Sequence, residues 1–443
     1  MSDVREKVDA AMPSVVEDLR RLVAIPSVSS LPEHDDDVRA CAIEVQRLLE
    51  DIGCPHVELL EAGGKPAVYG HFPAPDGAPT VLLYAHYDVQ PPGDRTSWTT
   101  EPFTATPRGG RLFGRGTADD KGGIAVHLAA LRAFVGAPPV GVKVFVEGEE
   151  EIGSSSMPAL LDAFARELSA DVFVIADSVN WEVGRPSLTT SLRGTVDAEV
   201  TVSTLATGLH SGQFGGVVPD ALTVLCRLLG TLHDERGDVA IDGLAGDDEA
   251  AVEYPEGRLR EETGVLDGVE WIGTGSLAAR MWTKPAATVL AIDATAVRDA
   301  SNTLAPTARA KVSVRLAPGD DAHRAAQALE RHLLRHAEWG ARVDVVLGQA
   351  ASGSEIPMTD ERAAVAVDAF AQAFGVAPVQ IGCGGSIPIV AEFAARNPGA
   401  LVLVTAVVDP TSRMHGIDES LELADLRKAA VAECLLLEGL AGL

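Results

Sequence analysis

Cysteine is sparse in this sequence, and what there is forms no paired motif. The five residues (Cys41, Cys54, Cys226, Cys383 and Cys434) are scattered, odd in number and without a CxxC. That pattern excludes a disulfide framework and a structural zinc finger, and predicts reduced thiols in a cytoplasmic protein. Basic side chains are also in short supply: 36 Lys and Arg stand against 64 Asp and Glu, a net charge of -28. Such a balance argues against nucleic acid or an anionic membrane as a partner. No apolar stretch approaches a bilayer span, so no transmembrane helix is expected. The opening Met1-Ser2-Asp3-Val4-Arg5-Glu6 lacks the basic-then-apolar pattern of a secretory signal. Internal repeats and low-complexity segments are missing too.

What is present looks like an ordinary globular chain of 443 residues, 46% hydrophobic and 23% charged, long enough for two domains. Helical periodicity over Val15–Val23 and Val38–Leu49 precedes apolar strand-like runs at Ala67–His71 and Thr80–His86. A helix is expected from Lys121 through Phe134, then a strand at Val142–Val146, a helix at Met157–Leu168 and a strand at Val172–Ala176. This βαβ alternation, with near-continuous apolar strands, predicts a mostly parallel sheet buried on both faces. After Pro186 the pattern changes to period two, as in Val196, Ala198, Val200 and Val202. The order β-α-β-β-α-β that follows is that of a ferredoxin-like sandwich, broken by an acidic, Gly-rich insert at Asp234–Lys284. After Pro357 the αβ pattern returns. The expected fold class is therefore α/β: a mostly parallel-sheet domain over 1–187 and 353–443, interrupted by an inserted ferredoxin-like α+β domain over 188–352.

Four short acidic clusters stand out, three of them directly behind predicted strands. They are His86-Tyr87-Asp88, Asp119-Asp120, Glu149-Glu150-Glu151 and Asp177. In an α/β sheet such positions converge at the carboxyl edge, where ligands bind, and an imidazole among carboxylates suits one or two divalent cations. Each cluster alone also has a plain structural reading. An H-x-D is a common polar strand end, and Asp119 or Asp120 can simply cap a helix. Three consecutive glutamates are usually a solvated run. Alternatively, adjacent carboxylates in a bend divide the labour, one binding metal and one acting as base. The Gly114–Gly122 segment is no dinucleotide loop, because aspartate stands where the third glycine of G-x-G-x-x-G would fall. Most of the eleven histidines need no function, while His210 and His415 lie in loops. Cys383 resembles a nucleophile in a glycine-rich loop, but the glycines fit close backbone approach better, since no His–acid partner is identifiable.

Taken together, the motifs resemble the di-zinc exopeptidases that include aminoacylase, carboxypeptidase G, succinyl-diaminopimelate desuccinylase and the carnosinase-like dipeptidases, with the dipeptidase branch nearest. The resemblance runs from Leu22-Val23-Ala24-Ile25-Pro26-Ser27-Val28-Ser29 to the His415 loop. It is carried by Tyr84-Ala85-His86-Tyr87-Asp88-Val89-Gln90-Pro91, Gly114–Gly122, Gly148–Ser154, Asp177, His210-Ser211-Gly212 and Gly384-Gly385-Ser386. It implies a catalytic domain with an inserted lid or dimerisation domain. It also implies that Asp119 bridges two cations, one completed by His86 and Asp177 and the other by Glu151 and His415. Glu150 matches the general base, Asp88 the carboxylate behind His86, and Asp119–Asp120 a cis peptide. Asn302, Arg315, Gly385 and Ser386 match substrate-contacting positions, and His210 a residue that in dimeric relatives crosses from the partner lid to the oxyanion. Gly153-Ser154 favours Glu150 over its neighbours as base. The implied activity is hydrolysis of a dipeptide or short peptide with a free carboxylate, with N-acyl or N-carbamoyl amino acids as the alternative substrate class. The implied cofactors are two divalent ions, zinc first, with manganese or cobalt as alternatives, in a homodimer joined through the lid. A non-catalytic binding protein on the same fold is disfavoured, since every ligand and base position is filled.

Overall fold

Four of the apolar runs lie side by side and parallel at the centre of one mixed sheet, in the computed structural model, which describes residues 2–385 and 387–443. The strand Thr80–His86 pairs in parallel with Gly141–Glu147 on one side and Val172–Val179 on the other. Leu401–Val408 adds in parallel to Val172–Val179. Antiparallel neighbours flank this centre: Ala67–Phe72 and His56–Leu60 at one end and Ser187–Leu192 at the other. All seven residues of Gly141–Glu147 and all eight of Leu401–Val408 are buried, as expected of strands covered on both faces.

The covering helices explain that burial. Helix Lys121–Ala133 is buried almost all round. One side packs with Val81, Leu83 and Val142, and the other with Val8, Val15 and Leu19 of the helix Ser2–Val23. A helix apolar on every side belongs in the interior of an α/β layer. Asp120 caps it by accepting from Gly123 N at 3.1 Å. The sheet register then fixes where polar residues emerge, since His86 pairs with Glu147 at the carboxyl ends of neighbouring strands.

By contact, the chain forms two compact units: Met1–Thr190 with Ile356–Ile381 and Pro388–Leu443, and Ser191–Glu355 with Gly382–Ile387. The second unit contains a four-stranded antiparallel sheet in the order Ala286–Asp293, Thr307–Leu316, Gly194–Ser203, Arg342–Ala351. With helices Ala221–Gly230 and Ala322–Arg335 sharing its core, this is the ferredoxin-like arrangement. Alternate residues Val196, Ala198, Val200 and Val202 face that core. Within the acidic insert, short helices form at Glu256–Thr263 and Leu277–Trp282. Lys284 ties the insert together, its Nζ 2.8 Å from Asp238 and 2.6 Å from Asp248.

Some local expectations differ from what is found. The helix expected over Met157–Leu168 stops at Ala163. Lys143 Nζ takes the Arg166 and Ser169 carbonyls at 2.8 and 2.6 Å, which holds the following segment in turns. The strands Ser187–Leu192 and Val379–Cys383 and the helix Pro388–Arg396 were not anticipated. The peptide between Asp119 and Asp120 is cis. All five cysteines are free. Among the described residues no helix is long and apolar enough to cross a membrane.

Candidate metal centre

His86 ends its strand with no exposed surface and turns Nδ1 toward Asp88, 3.0 Å from the backbone oxygen and 3.3 Å from Oδ1. Its other nitrogen, Nε2, is buried and makes no hydrogen bond among the described residues. That atom lies 3.2 Å from Asp119 Oδ1 and 3.9 Å from Asp177 Oδ1. The second Asp119 oxygen is 3.0 Å from His415 Nε2, which lies 3.2 Å from Glu151 Oε2. Ligands about 2 Å from a tetrahedral ion stand about 3.3 Å from one another. These separations therefore suit a cation on each side of Asp119.

Electrostatics say the same. Burial, with Glu150 close by, pushes the Asp177 carboxyl well above its ordinary value, and burial with Asp119 beside it does so for Asp120. Burial would lower His86, but Asp119, Asp88 and Asp177 raise it well above the usual imidazole range. Contacts with Asp119 and Glu151 push His415 up to about 10. Burial first, and then Glu151, Asp119 and Asp88, push Glu150 up to about 7 against the opposing pull of His86. Acids crowded in a dry pocket, with one imidazole nitrogen left without a hydrogen bond, are a donor set that divalent ions would satisfy.

The three consecutive glutamates point three ways. Glu149 is buried and turned from the centre, accepting from Lys65 N at 3.0 Å and from the Ser156 hydroxyl. Glu150 interacts with His86, Asp119 and Asp177. Glu151 faces His415 and is gripped by Gln90, whose N and Nε2 donate to its two carboxylate oxygens at 3.1 and 2.8 Å. Asp88 carries this bend by accepting from Glu150 N at 3.3 Å and Glu151 N at 3.1 Å. Gly148 makes the bend possible, because a Cβ there would run into the Tyr87 ring. Beneath it Glu147, pushed by burial to about 8, accepts from the Tyr84 and Ser154 hydroxyls at 2.6 and 2.8 Å.

Thus His86, Asp88, Asp119, Glu150, Glu151, Asp177 and His415 meet at one edge of the first unit. The remaining expected site residues belong to the second unit. His210 is exposed and accepts from Gly212 N at 3.1 Å through Nδ1. The Asn302 backbone oxygen accepts from Ser211 N at 2.9 Å, next to the Leu209–His210 pairing with Thr303–Leu304. Arg315 and Gly385 line a cleft of about 460 Å³ with Thr195, Thr288 and Gln349. Ser386 lies outside the described residues. Burial pushes the Cys383 thiol up, which disfavours a nucleophile. A Cβ on Gly382 would come within 2.5 Å of Trp282 Cβ, the close approach expected of that loop.

Sequence reasoning missed three residues that build this centre. Asp120 gathers with His86 and Asp177, and also accepts from His86 N at 3.2 Å. Gln90 lies in the Tyr84–Pro91 string and Glu419 four residues after His415, but only their contacts reveal what they do.

The profile described as Peptidase family M20/M25/M40 matches residues 82–438. A cysteinylglycine-S-conjugate dipeptidase of Corynebacterium striatum is 35% identical over 432 residues, covering 95% of this chain and 94% of that protein. A Cys-Gly metallodipeptidase of Schizosaccharomyces pombe is 28% identical, covering 98% and 97%. Among solved structures, the di-peptidase Dug1p from Saccharomyces cerevisiae superposes with a TM-score of 0.85 at 24% identity, covering 100% of this chain and 98% of that one. Human carnosine dipeptidase 1 superposes at 0.83 and 23% identity, covering 100% and 99%.

Proposed function

This chain belongs to peptidase family M20/M25/M40 and is a metal-dependent, dipeptidase-like hydrolase, and on that premise we propose that it cleaves dipeptides and short peptides with a free carboxylate, using Glu150 as general base. Cysteinylglycine and its S-conjugates are the first candidate substrates, because relatives at 35% and 28% identity are named for that chemistry. The reading rests above all on Asp119, whose two oxygens each face a different imidazole at 3.2 and 3.0 Å.

In this reading His86, Asp177 and Asp119 hold one divalent ion, and Asp119, Glu151 and His415 the other, zinc being the first choice. When bound, such ions polarise the scissile carbonyl and acidify the attacking water. Glu150 takes the water proton and returns it to the leaving amine nitrogen. A base near neutrality serves both directions of that transfer, and burial puts Glu150 at about 7. Asp88 fixes the His86 tautomer and, through the Glu150 and Glu151 amides, the bend that presents base and ligand together. Arg315 pairs with the free carboxylate of the substrate, Gly385 and Ser386 bound that same end, and Asn302 makes a further substrate contact. His210 of a second protomer donates to the developing oxyanion, which makes the working form a homodimer joined through the inserted domain. The five free thiols suit a reducing cytoplasm.

The test is metal analysis joined to hydrolysis of cysteinylglycine, β-alanyl-histidine and N-acetyl amino acids. Two ions per chain and cleavage of dipeptides over N-acetyl amino acids are expected. Glu150→Gln should keep both ions and lose about 10²–10⁴-fold in kcat. Metal-free protein inactive on every substrate, or a fully active Glu150→Gln, would overturn the reading.

A further inference from the structure

The two halves of the centre are built differently. His86 is fully buried and set by sheet register, paired with Glu147. His415 has a side chain 55% exposed and a left-handed backbone at φ 60°, in a segment between the strands Leu401–Val408 and Ser420–Glu422. Left-handed backbone is unfavourable for a residue with a side chain, so neighbouring contacts must hold it.

Those contacts converge on one buried ion pair. Glu419, with no exposed surface, accepts from Gly116 N, Ala118 N and Asp119 N at 3.0, 3.0 and 3.1 Å through Oε1. Its Oε2 accepts from Arg115 Nη1 at 2.6 Å, and its backbone oxygen from Gly114 N at 2.9 Å. Arg115, 1% exposed, sends Nη2 to the Gly416 carbonyl at 3.1 Å and the Pro91 carbonyl at 3.4 Å. Asp418 anchors the same loop by accepting from Thr99 N and Oγ1 at 2.8 and 3.0 Å. One carboxylate therefore grips the backbone that presents Asp119, four residues along from His415, and its cation grips the residue next to His415.

We infer that Arg115 and Glu419 act as one strut that positions His415 against Asp119 and so determines whether the second cation is held. The first position shares Asp119 but takes its other two ligands, His86 and Asp177, from strands the strut does not touch, so it depends on the strut far less. Neither residue touches substrate, and both are positioning residues. The inference rests on the two-ion reading above.

The experiment titrates cobalt into metal-free wild type, Glu419→Gln and Arg115→Met, with metal content measured after dialysis. Wild type should bind two ions. Each variant should keep the first and bind the second about 10–100-fold more weakly, and the double variant should be little worse than either single one. Unchanged binding of both ions overturns the strut, and so does equal weakening of both, which would mark a general folding role. Arg115→Lys guards against a variant that does not fold. It keeps the charge but not the two-armed contact, so weaker second-ion binding is expected, and wild-type binding overturns the inference. Wild type that binds fewer than two ions would instead defeat the function proposed above.

Discussion

Replacing Asp88 tests whether one buried carboxylate organises both ligand and base. Asp88 has no exposed surface, accepts two backbone N–H groups at 3.3 and 3.1 Å, and sits 3.3 Å from His86 Nδ1. In Asp88→Ala the Glu150 and Glu151 amides lose a charged acceptor. Leaving a buried donor unsatisfied costs about 1–3 kcal/mol. Both donors belong to half-buried residues, so the lower part of the range applies, and the two together should cost about 2–4 kcal/mol. Asp88→Asn keeps one carbonyl acceptor and should cost about half as much. Urea unfolding of the metal-free proteins measures these losses directly. Cation affinity should also fall, by about 10-fold, because His86 loses the carboxylate beside Nδ1 and keeps only the Asp88 backbone oxygen. The two effects are separable, since unfolding is followed without metal and affinity by chelator competition. A metal-free Asp88→Ala within about 0.5 kcal/mol of wild type, with unchanged metal affinity, would refute the reasoning.

Acidity should act at two places. Asp119 and Glu151 push His415 up to about 10, so the metal-free protein carries a proton there at pH 7, and the pairing is fully present below the ordinary imidazole value and lost as pH rises through about 10. Metal uptake must displace that proton, and calorimetry in buffers of different ionisation heat should find proton release at pH 7, whereas none would contradict the ligand assignment. Burial holds Glu150 at about 7, so the base is lost as pH falls, and kcat/KM should approach a tenfold drop per pH unit on an acid limb that bound cations draw lower. The same acid limb persisting in the residual activity of Glu150→Gln would remove Glu150 from that role. Arg315→Met should lower kcat/KM about 10–100-fold for substrates with a free carboxylate, the worth of one charged hydrogen bond, and leave C-terminally amidated analogues unaffected. Equal losses on both would take Arg315 away from the carboxylate.

Legibility in the sequence followed chemistry that is local. His86 and Asp177 could be found because each follows an uninterrupted apolar strand, and strand ends in such sheets share one edge. Glu419 could not be, because it works by accepting amides from residues about 300 positions earlier, and no spacing encodes that. The Glu149–Glu151 run was ambiguous for a related reason: the direction of each carboxylate depends on Lys65, Gln90 and Asp88, all distant in sequence. The strand Ser187–Leu192 escaped notice because hydroxyls interrupt its apolar signal. Its Thr189 is nevertheless buried and bonds Ser178 at 2.7 Å, so the polarity is satisfied inside the sheet. The ferredoxin-like core was plain because its strands alternate cleanly, while the acidic insert was not, since its order comes from Lys284 and not from periodicity.

The parallel pairing of Leu401–Val408 with Val172–Val179 has a consequence for the chain as it is made. Until the late strand emerges, one edge of Val172–Val179 has no partner on that side, while Thr80–His86 already covers the other. At ordinary ribosome speeds the intervening stretch of about 220 residues takes about 10–45 s to appear. During that interval a long apolar edge stands open in the cell, the kind of surface that recruits a neighbouring nascent chain. The window closes with the strand that leads into the His415 loop, so completing the sheet and delivering the last ligand are nearly the same event in time.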